Sequence, residues 1–410
     1  MVLPEINIDN ILSRFKLEGS GQHTQKKSVD IGPQQIPAYI NEFWTARQRQ
    51  ASSIHEVSYR ACFKPQLPSF FIERLTGLGD LVYDPFGGRG TTAIEAGLLG
   101  RRVISNDINP LSEILTRPRL EVPLLNDIAT RLDEIEFDVN MKADRDLSMF
   151  YHSETLAEIV SLRDYLRERK AKGSEDALDR WVRMVATNRL TGHSPGFFSV
   201  YTLPPNQATS PKSQIKINKS RGQEPQYRDV KKLILRKSKS LLRTLNEEER
   251  RNLRASAKTA KFMVSDSRHT AAIRSNTVQL TVTSPPFLDI VQYSQDNWLR
   301  CWFNGIDAQA VSTRITMSHT IAAWERVMGE TFGELHRVTK PGGWVAFEVG
   351  EIRKGGLRLE ERVVPLGLNA GFDCKAIVIN SQRFTKTSNI WGVGNNRCGT
   401  NTNRIVLMKK

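Results

Sequence analysis

The chain is predicted to fold as a doubly wound α/β domain on a mostly parallel sheet, interrupted by a helical, basic insertion. Three observations predict this. Short apolar runs alternate with helical stretches over residues 65–120. That alternation is lost over 120–258, which reads as largely helical. It resumes at Lys261-Phe262-Met263-Val264 and continues toward the end of the sequence. Alternating strand and helix signals indicate parallel strands joined by helical crossovers.

In chain order, residues 1–62 are polar with scattered aromatics such as Phe43, Trp44 and Tyr59, and read as an N-terminal arm with short helices. Residues 63–119 and 259–410 carry the α/β pattern, and 120–258 form the insertion. Leu81-Val82-Tyr83 is a short strand ending in Asp84; a glycine-rich turn and a helical stretch, Thr92–Leu99, follow. Arg102–Ser105 is a second strand, ending in Asn106-Asp107. Glu154–Arg169 and Ala177–Leu190 read as helices, and 191–226 as a loop rich in Pro, Ser, Gly and Asn. Further strands are expected at Val278–Val282, Trp344–Val349, Ala376–Ile379 and Arg404–Met408.

Composition narrows the function classes. The 410 residues carry 59 Lys+Arg against 44 Asp+Glu, a formal charge of +15, which favours a polyanionic partner. Pro211 to Arg243 alone holds eleven Lys/Arg and two Asp/Glu. The four cysteines form no CxxC pair, so neither a zinc site nor a disulfide framework is expected, and no metal is. Met1 to Arg14 has no apolar core of a signal peptide, and no apolar run approaches the ~18 residues that span a bilayer. A cytoplasmic location is therefore expected.

Two loops carry the chemistry. Asp84-Pro85-Phe86-Gly87-Gly88-Arg89-Gly90-Thr91-Thr92 follows a strand and opens a helix. Glycines there let the backbone turn against a ligand, and helix-start amides can receive an anionic group. No Gly-Lys-Ser/Thr follows, so this is not a nucleotide-triphosphate loop. Asp107 ends the next strand, where a carboxylate can accept from two ribose hydroxyls. The second loop is Ser284-Pro285-Pro286-Phe287, at the end of the strand Val278–Val282. Its two prolines stop the ladder and stiffen the loop.

These loops resemble those of the amino-methylating DNA methyltransferases. DPFGGRGTT is similar to their motif I, and Asn106-Asp107-Ile108-Asn109-Pro110 to motif II. Phe63-Lys64-Pro65-Gln66-Leu67-Pro68 is similar to motif X, Val264-Ser265-Asp266-Ser267 to motif III, and Ser-Pro-Pro-Phe to motif IV. The resemblance implies a seven-stranded class I methyltransferase fold and S-adenosylmethionine as cofactor. It assigns to the cofactor pocket Lys64, Pro65, Asp84, Pro85, Phe86, Gly87, Gly88, Gly90, Thr91, Thr92, Asn106, Asp107 and Asp266. Asp107 would bind the ribose and Asp266 the adenine amino group.

By the same resemblance, the Ser284 side chain and the Pro285 carbonyl would accept the hydrogens of an exocyclic base amine. Pro286 would hold the loop rigid, and Phe287 would stack on a base extruded from double-stranded DNA. A serine in motif IV more often accompanies cytosine-N4 than adenine-N6 enzymes, so cytosine N4 is favoured and adenine N6 stays open. Carbon-5 methylation needs a Pro-Cys pair, and none occurs. The motif order resembles the alpha arrangement, except that the insertion precedes motif III. Within the insertion, Lys212, Lys216, Lys219, Arg221 and Gln223 are read as DNA contacts on a flexible loop, beside Asn206, Gln207 and Asn218. Lys231, Lys232, Arg236, Lys237 and Lys239 lie on an expected helix and either touch DNA or form its solvated face. A cognate restriction endonuclease is a partner that the resemblance admits. Asp289, Tyr293 and Asp296 either line a base pocket or are ordinary helix residues. The Pro341-Gly342-Gly343 turn is read as a fold marker and His336 as structural.

Overall fold

The computed structural model describes residues 6–18, 22–45, 51–60, 62–203, 208–286, 293–315, 320–349, 351–352, 357–385 and 398–410. After helix α1 (Ile8–Ser13), strands β1 (Gln25–Ile31) and β2 (Gln34–Asn41) form a hairpin. Next come α2 (Gln66–Leu75), β3 (Leu81–Asp84), α3 (Thr91–Leu98) and β4 (Arg102–Asn106). Seven helices then occupy the middle of the chain: α4 (Leu111–Leu120), α5 (Leu125–Glu134), α6 (Ser153–Ala171), α7 (Ala177–Arg189), α8 (Pro211–Arg221), α9 (Val230–Leu242) and α10 (Glu247–Ala257). Strands β5 (Lys261–Met263) and β6 (Val278–Thr283) lead to α11 (Tyr293–Asn304), α12 (Ala308–Arg314) and α13 (Ile321–Val338). The chain closes through β7 (Thr339–Val349), a short β8–β9 ladder (Glu351–Ile352, Leu357–Arg358), α14 (Glu360–Asn369), β10 (Asp373–Thr385) and β11 (Cys398–Lys409).

The main sheet runs β1-β2-β10-β11-β7-β6-β3-β4-β5. Strands β5, β4, β3, β6 and β7 run parallel to one another, and β11 is antiparallel to both β7 and β10. The order reverses beside β3, where β4 lies on one side and β6 on the other. This is the switch point at which doubly wound sheets bind ligands. Helices cover both faces. Along β7, Trp344 and Ala346 enter one apolar cluster while Val345, Phe347 and Val349 enter the other.

Seven strands of this sheet follow the expected α/β arrangement; two more come from a region read as helical arm. Beta pairing wins there because Ile36, Ala38 and Tyr39 bury their side chains and β2 pairs in parallel with β10, Ala38 against Ile377. Gly32 turns the hairpin at φ +57°. Beyond it, Phe43 and Trp44 donate their backbone N–H groups to Asn380 Oδ1 at 2.7 and 3.2 Å.

The middle helices extend the apolar cluster on one face of the sheet. Trp181 of α7 is fully buried and donates to Ser238 Oγ of α9 at 2.9 Å. Asp176 and Asp179 form a capping box at the start of α7. Helix α10 packs instead on α3 and α4, with Asn252 Nδ2 donating to Leu98 O at 3.0 Å. The expected loop around Lys212–Arg221 is corrected to helix α8. Ser210 caps its start at 3.2 Å, Pro211 sits in its first turn, and Gly222 ends it at φ +56°. Asn206 and Gln207 lie outside the described residues.

Candidate functional site

Strands β3 and β6 are neighbours, so the glycine loop after β3 and the Ser-Pro-Pro loop after β6 leave the sheet side by side. Two hydrogen bonds lock them. Thr283 Oγ1 donates to Asp84 Oδ1 at 2.6 Å, and Thr92 Oγ1 donates to Val282 O at 3.0 Å. Asp84 also accepts from the Phe86 N–H at 3.1 Å. Burial of its carboxyl outweighs these donors and pushes its pKa up to about 7.

The glycine turn is shaped by close contact. A side chain on Gly87 would overlap Ser105 Oγ, and one on Gly90, at φ +77°, would overlap Thr116. Gly88 also has positive φ, +52°. Its N–H donates to Asp107 Oδ2 at 2.7 Å, while the Asn109 N–H reaches Asp107 Oδ1 at 2.9 Å. Burial raises the Asp107 pKa to about 6. Each of its oxygens accepts one backbone donor, so a second lone pair on each remains for a diol. Asn106 ties three strand ends together: Nδ2 donates to Pro85 O at 3.2 Å and Ser265 O at 2.9 Å, while Oδ1 accepts from Ser265.

Asp266 follows directly on Ser265, but its carboxylate is gripped by Arg268, with Nη2 at 2.7 Å, and is held below the usual carboxylate range. Arg268 in turn bonds Glu330 at 3.0 Å. Lys64 and Pro65 precede α2 on the other side of the glycine loop; burial and Arg89 depress the Lys64 pKa.

On the Ser-Pro-Pro loop, Ser284 Oγ bonds Glu348 of β7, and Trp324 Nε1 of α13 donates to Pro286 O at 3.1 Å. That occupies the Pro286 carbonyl and fixes its orientation. Phe287 and Asp289 lie outside the described residues. Asp296 is buried against Arg60 at 2.7 Å, the arrangement of a structural residue. His336 sets its ring edge against Phe372.

Several contributors are missed by reading motifs alone. Arg89, between two motif glycines, donates to Val57 O at 3.1 Å, Phe63 O at 3.4 Å and Thr91 Oγ1 at 3.1 Å, joining the motif X segment to the turn. Arg119 is fully buried, donates to Leu115 O, Ile54 O and Arg89 O, and has its pKa lowered to about 9 by burial. Tyr59 Oη bonds Asn109 Nδ2 at 3.3 Å beside Gly88. Glu348 and Trp324 carry no motif signal, because sheet neighbours on distant segments bring them in.

The basic helix α8 begins beside α11, where the Ala208 N–H donates to Asp296 O at 2.9 Å. Lys212, Lys216 and Lys219 are exposed, as is Ile215 at 53%. Arg221 lies over the Tyr201 ring at 3.8 Å, and Gln223 Nε2 donates to Tyr201 O at 2.9 Å. The helix is held by amides: Gln214 bonds Tyr201 O at 2.9 Å and Asn218 bonds Met149 O at 2.8 Å. On α9, Lys232 pairs with Asp229, Lys231 covers Phe137, and Lys237 faces Glu56 with its pKa pulled down to about 8 by burial.

The DNA methylase family of N6 and N4 methyltransferases matches residues 12–114, which hold the glycine turn and Asp107. Over those residues the chain is similar to the amino-methylating DNA methylases. Members of the family use S-adenosylmethionine, and the pocket has the donors and acceptors to fit it. Among curated proteins, Type II methyltransferase M.MjaII of Methanocaldococcus jannaschii is 33% identical over 75 residues, 18% of this chain and 14% of that protein. Type II methyltransferase M.MvaI of Kocuria varians is 30% identical over 128 residues, 30% of this chain and 25% of its own length. The matches thus span no more than a quarter of these methylase relatives. Among solved structures, TrmN from Thermus thermophilus is similar over 89% of this chain and 52% of its own, at 12% identity and a TM-score of 0.32. Among the described residues, no group of three His, Cys, Asp or Glu could hold a metal, and no helix is long and apolar enough to cross a membrane.

Proposed function

We propose that the protein transfers a methyl group to the exocyclic amine of a base extruded from double-stranded DNA, most favourably N4 of cytosine. The observation that carries the reading is the Thr283–Asp84 hydrogen bond, which sets the Ser-Pro-Pro loop beside the glycine turn. A pocket for the methyl donor and a loop of acceptors for an amine are thereby side by side.

Bound S-adenosylmethionine supplies an electrophilic methyl group on a sulfonium centre. Asp107 accepts from the ribose hydroxyls, and the amides opening α3 receive the carboxylate. Gly87, Gly88 and Gly90 let the backbone approach. Lys64 and Pro65 border the pocket from the α2 side, and Asp266, satisfied by Arg268, contributes by shaping the β5 end. Ser284 Oγ and Pro285 O accept the two amine hydrogens, which favours a pyramidal nitrogen whose lone pair faces the methyl group. Phe287 is assigned the stacking surface for the extruded base.

Residues 120–258 are assigned to target recognition. Helix α8 offers Lys212, Lys216, Lys219 and Arg221 to phosphates, with Gln223 at its end. A restriction endonuclease of the same specificity is a further partner under this reading.

Methyl transfer from labelled S-adenosylmethionine to duplex DNA, followed by nucleoside chromatography, tests it. N4-methylcytosine is the expected product, and N6-methyladenine would move the assignment to the other amine. Label in tRNA but not in DNA, or DNA binding without cofactor binding, would overturn it.

A further inference from the structure

Glu348 lies near the end of β7, and only 8% of its surface is exposed. Among the described residues its carboxylate has two partners, both neutral. Asn403 Nδ2 on β11 donates to Oε1 at 2.6 Å, and the Ser284 hydroxyl donates as well. The charged groups on the flanking strands are engaged elsewhere: Asp84, beyond β6, by Thr283 and Phe86, and Arg404 on β11 by Glu360 at 2.5 Å. Burying a carboxylate without a cation beside it is costly, so a role at the adjoining serine is the natural reason to keep one here.

We propose that Glu348 is a positioning residue for Ser284 and the terminal acceptor of the proton that the amine releases. The inference rests on the function proposed above. While Glu348 is ionised it accepts the Ser284 O–H, so the serine oxygen turns its lone pairs to the amine. As the nitrogen–methyl bond forms, the donor's sulfur–methyl bond breaks with its electron pair left on sulfur, one N–H bond breaks, and that proton joins Ser284 Oγ. The hydroxyl's original proton passes to Glu348 Oε. The serine ends unchanged, the carboxylate ends neutral, and the proton balance of the transfer is closed. A protonated Glu348 would instead donate to Ser284 Oγ and compete with the amine.

Burial, opposed by the Asn403 and Ser284 donors, places the Glu348 pKa at about 7. Single-turnover rates on duplex DNA should therefore rise with pH through about 7. Glu348→Gln should lose about tenfold or more in rate at pH 8 and flatten the profile while cofactor affinity holds. Glu348→Asp should recover part of the pH dependence. An independent readout is the carboxyl titration of 13C-glutamate-labelled protein, where one resonance should titrate near pH 7 and vanish in Glu348→Gln. That resonance should move to higher pH in Ser284→Ala and in Asn403→Ala, each of which removes a donor to the carboxylate. A wild-type rate and profile in Glu348→Gln, or a titration unmoved by Ser284→Ala, overturns the proposal. A wild-type protein inactive on DNA but with the coupled titration intact would count against the methylation reading alone.

Discussion

The Thr283 hydroxyl donates to the Asp84 carboxyl at 2.6 Å, across the boundary between the two strands that carry the glycine turn and the Ser-Pro-Pro loop. Asp84 thereby works as a strut: another of its donors, the Phe86 N–H, starts the glycine turn itself.

The strut makes stability depend on pH with a defined sign. The Asp84 pKa is raised from 3.8 to about 7, so the folded state holds a proton that the unfolded chain releases. Its contribution is full below about pH 4 and is lost as pH rises through 7. Glu348 and Asp107, raised to about 7 and about 6, act in the same direction over overlapping ranges. The melting temperature of the cofactor-free protein should fall between pH 5 and 7.5 by more than in Asp84→Asn, as differential scanning calorimetry would register. Equal slopes would remove Asp84 from the explanation.

Gly90→Ala should fail to bind cofactor and should destabilise by about 2 kcal/mol or more, because positive φ and the Thr116 side chain both oppose a Cβ. Urea unfolding and titration calorimetry measure the two effects. An alanine variant of wild-type affinity would mean that the turn is not shaped as described.

Asp107→Asn keeps the volume and removes the charge. Cofactor affinity should drop by about tenfold to a hundredfold, matching ~1.5–3 kcal/mol for hydrogen bonds to a charged group, while duplex affinity stays level.

Trp324→Phe removes the donor to Pro286 O but keeps an aromatic in the core. Turnover should fall about fivefold to tenfold, in line with ~1 kcal/mol for one hydrogen bond, with no change in cofactor dissociation constant. A fall in affinity equal to the fall in turnover would point to general loosening instead.

The basic helix is tested by salt. Lys212→Ala, Lys216→Ala and Lys219→Ala together should lower the slope of log affinity against log salt by up to about 3, roughly one for each phosphate no longer neutralised. Alanines at Lys231 and Lys232, one lying over Phe137 and one paired with Asp229, should change it less.

Much of the parallel sheet is readable in the sequence because buried parallel strands are short apolar runs, as Leu81-Val82-Tyr83 of β3 is. The glycine turn and Asp107 are readable because backbone conformation and carboxylate chemistry restrict what can stand there. The β1–β2 hairpin is not, because its partner strand lies far along the chain and its polar outer face hides the alternation. Helix α8 escapes for a different reason. Its amphipathic stripe is replaced by Gln214 and Asn218, so the apolar period is weak and only Ser210, Pro211 and Gly222 mark its ends. Glu348 is illegible because its place beside Ser284 depends on the pairing of β6, β7 and β11.

The docking of Phe43 and Trp44 on Asn380 joins residues 337 positions apart. During synthesis the early hairpin has no strand to add to until β10, far along the chain, has left the ribosome. It must wait with Ile36 and Tyr39 uncovered, a topology that slows folding and invites edge-to-edge association. Recombinant yield should therefore respond to translation rate and to chaperone supply more than to changes around the catalytic loop.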